Sequence, residues 1–245
     1  MTTTAVVHSE WIKIRSVRAS WGSLLSVLVA TLAITLLAFP LIGQAEADNP
    51  DYDALFSAFY AINFAQIAAI SFGATAFSSE FAHGALRVSL AAVPRRGLFY
   101  AAKTAVIGTA ALVLGLITSF ATFLVGQLFM GEYAIGLGEE GALSACVGAG
   151  VYLALMALFA SGLTALLRSG VAVLSLLIPL VLIVGFVIGD MNAGVAEFLP
   201  DRAGQVVLHS DYDGSLGPWL GLGVTALWAA AAVGAGWWAV RRRDA

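Results

Sequence analysis

The chain has 245 residues, of which 60% are hydrophobic and only 11% charged, with a formal net charge of -3. Soluble domains carry about a quarter charged residues, so this much apolar material implies surface facing a bilayer and leaves no room for a separate soluble catalytic domain. Cys146 is the one cysteine, which excludes a disulfide framework and any cysteine-based zinc site.

The N-terminal segment reads Ser9-Glu10-Trp11-Ile12-Lys13-Ile14-Arg15. At helical spacing Val7, Trp11 and Ile14 share a face, with Val6 and Val17 at its edge, whereas Lys13 and Arg15 lie off it. This predicts a helix in the headgroup layer over residues 1–20, anchored by Trp11 and Trp21. Glu10 falls inside the apolar sector, and a carboxylate there requires a basic partner.

A spanning helix needs about 20 mostly apolar residues. Six stretches qualify, at about 21–42, 55–77, 104–129, 143–166, 171–188 and 220–240, and their cores hold no Asp, Glu, Lys or Arg. Backbone groups in lipid must pair within their own segment or in a closed barrel, and barrel alternation is missing, so the expected fold is all-α with six transmembrane helices. The expected domains are the N-terminal helix, a six-span bundle over 21–240, and a basic tail at 241–245. Eleven of the twelve basic residues fall on one side of six such spans, in the N-terminal segment, between spans two and three, at Arg168, and at Arg241 to Arg243. Only Arg202 falls on the other side, with most of the acidic residues. By the positive-inside rule both termini are expected in the cytoplasm.

Within the second span Ser57, Ala61, Ala65, Ala69 and Gly73 form a stripe of small residues that lets another helix approach closely. Gly185 and Gly189 repeat the pattern more briefly in the fifth. Asn63 and Gln66 lie on a neighbouring face of the second span. Either these residues, with Ala61, Ala65, Ala69 and Gly73, border a path at an interface between two subunits, or the amides pair with another helix of the same chain.

The connection after the second span reads Ser78-Ser79-Glu80-Phe81-Ala82-His83-Gly84-Ala85-Leu86-Arg87-Val88-Ser89-Leu90-Ala91-Ala92-Val93-Pro94-Arg95-Arg96. Ser78 or Ser79 is expected to cap a short helix with Glu80 in its first turn. Phe81, Leu86 and Leu90 give that helix an apolar surface, and Pro94 stops it. The simplest reading is a connector whose arginines only fix topology; the alternative is a docking element.

The spans offer no intramembrane acid–base pair, no metal-ligand spacing among His8, His83 and His209, and no potassium-type filter. GxxxxGK[ST] is absent, since the two lysines, Lys13 and Lys103, do not follow glycines. ATP, if used, must be bound by another chain.

The N-terminal Glu-containing segment and the stretch Glu80-Phe81-x-x-Gly84-x-Leu86-Arg87, Leu90-Ala91-x-x-Pro94-Arg95-Arg96 and Ala102-Lys103 together resemble the type-2 membrane subunits, or permeases, of bacterial ATP-binding-cassette (ABC) exporters. His83 before Gly84 departs from the small residues frequent there. The resemblance implies a half-transporter without cofactor or catalytic residue of its own. ATP and Mg would be held by a partner ATPase, alongside a second permease subunit, identical or paralogous, in the bacterial cytoplasmic membrane, with no role for nucleic acid. It further implies that Ser79–Val93 is a coupling helix, with Glu80, Phe81, Gly84, Leu86, Arg87, Leu90, Pro94, Arg95 and Arg96 serving ATPase coupling. Glu10, Trp11, Lys13 and Arg15 would form a connecting helix, and Asp190–Gly217 an outer helical hairpin in place of an ordinary loop. The competing function is a non-transporting membrane protein, an immunity or scaffold factor that binds a membrane-active peptide or a partner protein. A membrane enzyme ranks behind both for want of a catalytic constellation.

Overall fold

A computed structural model of the chain describes residues 2–47, 49, 52–183, 193–210, 212 and 214–243, and all regular structure among them is helical. The principal helices are α1 (Thr3–Ser16), α2 (Arg18–Ala38, continued by a π turn over Phe39–Gly43), α3 (Ala54–Ala58), α4 (Ile62–Ser78), α5 (Ala85–Ala92), α6 (Arg96–Gln127), α7 (Ala142–Leu167), α8 (Gly170–Ile183), α9 (Pro200–Gln205) and α10 (Pro218–Arg242). By length and composition four helical stretches suffice to cross a membrane: Arg18–Leu41, α6, α7 and α10. Helices α4 and α8 are apolar but shorter; the 17 residues of α4 rise about 26 Å.

Two expectations need correcting. The second apolar stretch is not one helix, because the chain turns at Phe59–Ala61 between α3 and α4. Asp53 caps α3 by accepting from Leu55 N (3.0 Å) and Phe56 N (3.1 Å), which fixes a separate helix start. The third helix begins at Arg96, ahead of the expected 104, with Arg95 as its non-helical cap residue. Its 32 residues rise about 48 Å, so the basic end of α6 extends well past its apolar core. The fifth stretch beyond Ile183, with Gly185 and Gly189, lies outside the described residues, as does Asp190.

Helix α7 is the hub, packing against α4, α6, α8 and α10. Small residues make this possible. A Cβ on Gly73 of α4 would stand 2.0 Å from the carbonyl oxygen of Ala157, and one on Gly162 of α7 would stand 2.5 Å from the Ala232 backbone of α10. The small stripe of the second span is thus consumed inside the chain: Ala61, Ala65, Ala69 and Gly73 are all buried. All four are covered by this chain, Gly73 by the Ala157 backbone of α7. Hydroxyls fasten neighbouring helices where the interface lacks large apolar side chains. Ser23 pairs with Thr75 (3.0 Å), Ser119 Oγ donates to the Cys146 carbonyl (2.7 Å), and Tyr100 OH donates to the Val233 carbonyl (2.8 Å).

Basic residues collect at one end of the bundle. Arg96 Nη1 donates to the Arg243 carbonyl (2.7 Å), and Arg243 Nη1 donates to the Leu166 carbonyl (2.7 Å), so the start of α6 is tied to the ends of α10 and α7. These guanidinium groups satisfy carbonyls that helix termini leave without partners. At the opposite end Asp53 receives Ser210 N (3.1 Å), Ser210 Oγ (2.8 Å) and His209 Nδ1 (3.1 Å), joining α3 to the segment after α9. Those bonds hold the Asp53 carboxyl down at about 2 against the upward push of its partial burial.

Replacing Gly73 by Leu is expected to cost about 1–3 kcal/mol through overpacking against rigid backbone, lowering the melting temperature of the purified protein by several degrees in intrinsic-fluorescence unfolding. Gly223→Leu, where a Cβ meets nothing within 4 Å, is the control and should melt no lower than the wild type.

Candidate functional site

The described site lies at the basic end, where α1, the Ser79–Gly84 connection and α6 converge. Its core is a compact set of four ionisable groups and one hydroxyl. Glu10 is 2% exposed, Glu80 3% and Lys103 1%. Lys103 Nζ lies 2.7 Å from Glu80 Oε1 and 3.1 Å from Glu10 Oε2, while Lys13 Nζ lies 2.7 Å from Glu10 Oε1 and 3.1 Å from Glu80 Oε1. Ser89 Oγ donates to Glu80 Oε2 (2.7 Å) and receives Lys13 Nζ (2.9 Å). Both lysines of the sequence are used here, and the formal charges cancel.

Each helix presents its member for a local reason. On α1 the buried positions are Val6, Glu10 and Ile14, at i, i+4 and i+8. The face packed on the bundle is thus Val6, Glu10 and Ile14, while Val7 and Trp11 are exposed. Val6 packs with Leu86, Val93, Phe99 and Ala102, which places Glu10 one turn further along against Lys103. Trp11 and Arg15 point away from the network and are exposed.

The connection also departs from expectation. Helix α4 runs through Ser78, a turn follows, and a short 3-10 segment at Ala82–Gly84 precedes α5. Glu80 is therefore in the turn and not in the first turn of a helix capped by Ser78 or Ser79. Gly84 has φ of 75°, the left-handed region that glycine adopts without steric cost. That reversal lets Leu86 N donate to the Glu80 carbonyl (2.7 Å) and starts α5 at Ala85. Helix α5 stops at Ala92, before Pro94, as expected.

The residues expected to serve coupling divide into two groups. Glu80, Phe81, Leu86 and Leu90 turn inward: Phe81 meets Phe77 with ring centroids 5.9 Å apart, and Leu86 and Leu90 join the Val6–Phe99 cluster. Arg96 also serves the fold, through the α10 carbonyls. Arg87, Pro94 and Arg95 are exposed, as are Val88 (71%) and Ala91 on the outward side of α5. Sequence reasoning missed Ser89 and assigned Lys103 no contact beyond its Ala-Lys pair. Of the two amides in the second span, Gln66 is buried and accepts from Tyr152 OH of α7, the alternative in which the amide pairs within its own chain. Asn63 Nδ2 donates to the Tyr60 carbonyl (3.2 Å).

Burial by itself would push the Glu80 pKa up. The charge and hydrogen bond of Lys103, with Ser89 and the charge of Lys13, outweigh it and hold the carboxyl below its ordinary value of 4.5. Burial would push Lys13 down, and its hydrogen bonds and attraction to Glu10 and Glu80 raise it above 10.5 instead. A lowered carboxyl contributes stability that is fully present above 4.5 and disappears as pH falls through its folded value. A raised amine contributes stability that is present below 10.5 and disappears as pH climbs through its own folded value. Hydrogen exchange of residues 3–16 should therefore stay protected between those limits and accelerate outside them. Lys103→Met should release the same segment at neutral pH, at a cost of about 3–5 kcal/mol for stranding buried carboxylates. Adding Glu80→Gln to it should restore part of the protection.

Curated proteins give no match. The family described as ABC-2 family transporter protein matches residues 6–188, a range that contains most of α1, the Glu80 connection, α5 and Lys103. With its long apolar helices, the chain is a membrane-embedded member of the ABC-2 family of transporter proteins.

Proposed function

We propose that the chain is the membrane-spanning permease subunit of an ABC exporter, and that α1, the connection and α6 form the cytoplasmic device through which a separate ATPase drives the bundle. The observation that carries this reading is the neutral network of Glu10, Lys13, Glu80 and Lys103. It joins a surface helix and a cytoplasmic connection rigidly to a long helix, while leaving the Val88–Ala91 side of α5 unburied. A force applied to that side is transmitted through Leu86 and the ion pairs to α6 without slack, because packed interiors are stiff.

In this reading the apolar stretches cross the bacterial cytoplasmic membrane six times, with both termini inside, and the gathering of arginines at one end agrees with that orientation. ATP and Mg are bound by the ATPase subunits with which members of this family generally associate. A second permease, identical or paralogous, completes the working unit. The inner face of the network, including Glu80, holds the device together. Arg87, Val88, Ala91 and Arg95 meet the ATPase. The segment Pro200–Leu208, whose Val206, Val207 and Leu208 are buried against the bundle, is the inserted part of an outer hairpin.

The test is co-purification with an ATPase encoded beside this chain, followed by ATPase assays of the reconstituted complex. Val88→Asp combined with Ala91→Glu should lower permease-dependent ATPase stimulation about tenfold or more by placing charges in the centre of an interface, with the protection of residues 3–16 unchanged. Wild-type stimulation in that variant, or full function of the chain in a membrane without any such ATPase, overturns the reading in favour of a non-transporting membrane factor.

A further inference from the structure

A groove of about 810 Å³ runs down the outside of the bundle between α6, α7 and α10, starting at the basic end. Its lining is almost wholly apolar and includes Ala105, Gly108, Leu112, Leu155, Gly234 and Trp237. Ala105, Thr109 and Gly234 are exposed, so the groove opens sideways, toward lipid. The Tyr100 hydroxyl on its wall is already committed to the Val233 carbonyl (2.8 Å), which leaves little there for a polar ligand.

The groove is confined to one half of the bilayer. Along α6 it extends from Tyr100 to Leu112, a rise of about 18 Å, against about 15 Å for half of a hydrocarbon core. On this stretch the outward residues of α6 are small: Ala101, Ala105 and Thr109. Further along the same helix Val113, Ile117 and Leu124 stand half exposed and fill the space that a groove would need. A helix from a second copy requires a seat through the whole thickness, whereas one acyl chain requires only this depth.

The basic end of the groove carries a fixed positive charge. Trp237 lines the groove and is 42% exposed, and the Arg241 guanidinium carbon stands 4.5 Å from the centroid of its ring. Cation–π stacking holds that exposed group beside the opening. The carboxylates described at this end, Glu10 and Glu80, are already neutralised by Lys13 and Lys103. Among the described residues no carboxylate pairs with Arg241. Tryptophan and arginine together mark the depth at which lipid headgroups lie.

We infer that the groove seats an acyl chain of an anionic phospholipid, with its phosphate against Arg241 beside Trp237. Basic sites between helices at the headgroup level recruit anionic lipids, and here an apolar slot of matching depth lies beneath one. A general field from the arginines at this end would attract such lipids too, but would not distinguish Arg241 from the others. The site draws no residue from α1, α5 or the ion-paired network on which the permease reading rests, and it requires no ATPase.

The experiment is native mass spectrometry of the full chain, released from detergent micelles after equilibration with equal amounts of phosphatidylglycerol and phosphatidylcholine of identical chains. The wild type should retain the anionic lipid in preference. Arg241→Gln should reduce that preference about fivefold, the worth of one basic residue near the surface. Arg15→Gln removes a charge of the same end from α1, which does not line the groove, and should leave the preference unchanged. Gly234→Leu fills the groove at a position where a Cβ meets nothing within 4 Å. It should displace the lipid while melting no lower than the wild type. Equal retention of the two lipids by the wild type, equal losses in the two glutamine variants, or unchanged retention in Gly234→Leu overturns the inference. So does a lipid-free dimer that is lost in Gly234→Leu, which would make a second copy the occupant.

Discussion

The network of Glu10, Lys13, Glu80 and Lys103 is the constraint around which the basic end of this molecule is organised. Each of its members is costly to bury alone, and each is buried or half-buried because the others are present. The consequence is geometric. Glu10 comes from a surface helix, Glu80 from a turn and Lys103 from the third turn of a long helix, so all three elements must reach one point together. Charge pairing in a place of low dielectric punishes misplacement more severely than apolar contact does, so it fixes register where the Val6–Leu86–Phe99 cluster alone would tolerate sliding. The same property makes it suited to passing a displacement from the surface to the interior.

The interior it connects to is built on a different principle. Helix α7 meets its neighbours through glycine and alanine, with hydroxyl-to-carbonyl bonds where backbones approach. Lipid removes the hydrophobic drive for association, and close van der Waals packing replaces it. Such a bundle carries little chemistry of its own along most of its length. Among the described residues the ion pairs lie at its ends: the Glu10–Lys13–Glu80–Lys103 network beside the arginine clamps at one, and the Asp53–His209–Ser210 junction at the other.

By itself the sequence determined the helical class, the apolar stretches and the sorting of basic from acidic residues, because these depend on composition and on backbone groups that must be satisfied locally. The need of Glu10 for a basic partner was legible as a local conflict between a residue and its surroundings, whereas the Glu80–Arg96 stretch stood out by its resemblance to a known family. Only the tertiary structure decided which partner that was. Lys13 and Lys103 are three and ninety-three positions from Glu10, and no periodicity links α1 to α6. It also decided that Val6, Glu10 and Ile14 are the residues of α1 that pack on the bundle, since the face a helix buries is chosen by the groove that receives it. The small stripe of the second span announced a close neighbour, but small residues have no chemical identity to say whose helix fills the groove. Asp201 reads in the sequence as one more acid in an acidic loop, and its burial arises only when α9 is packed against α7 and α10.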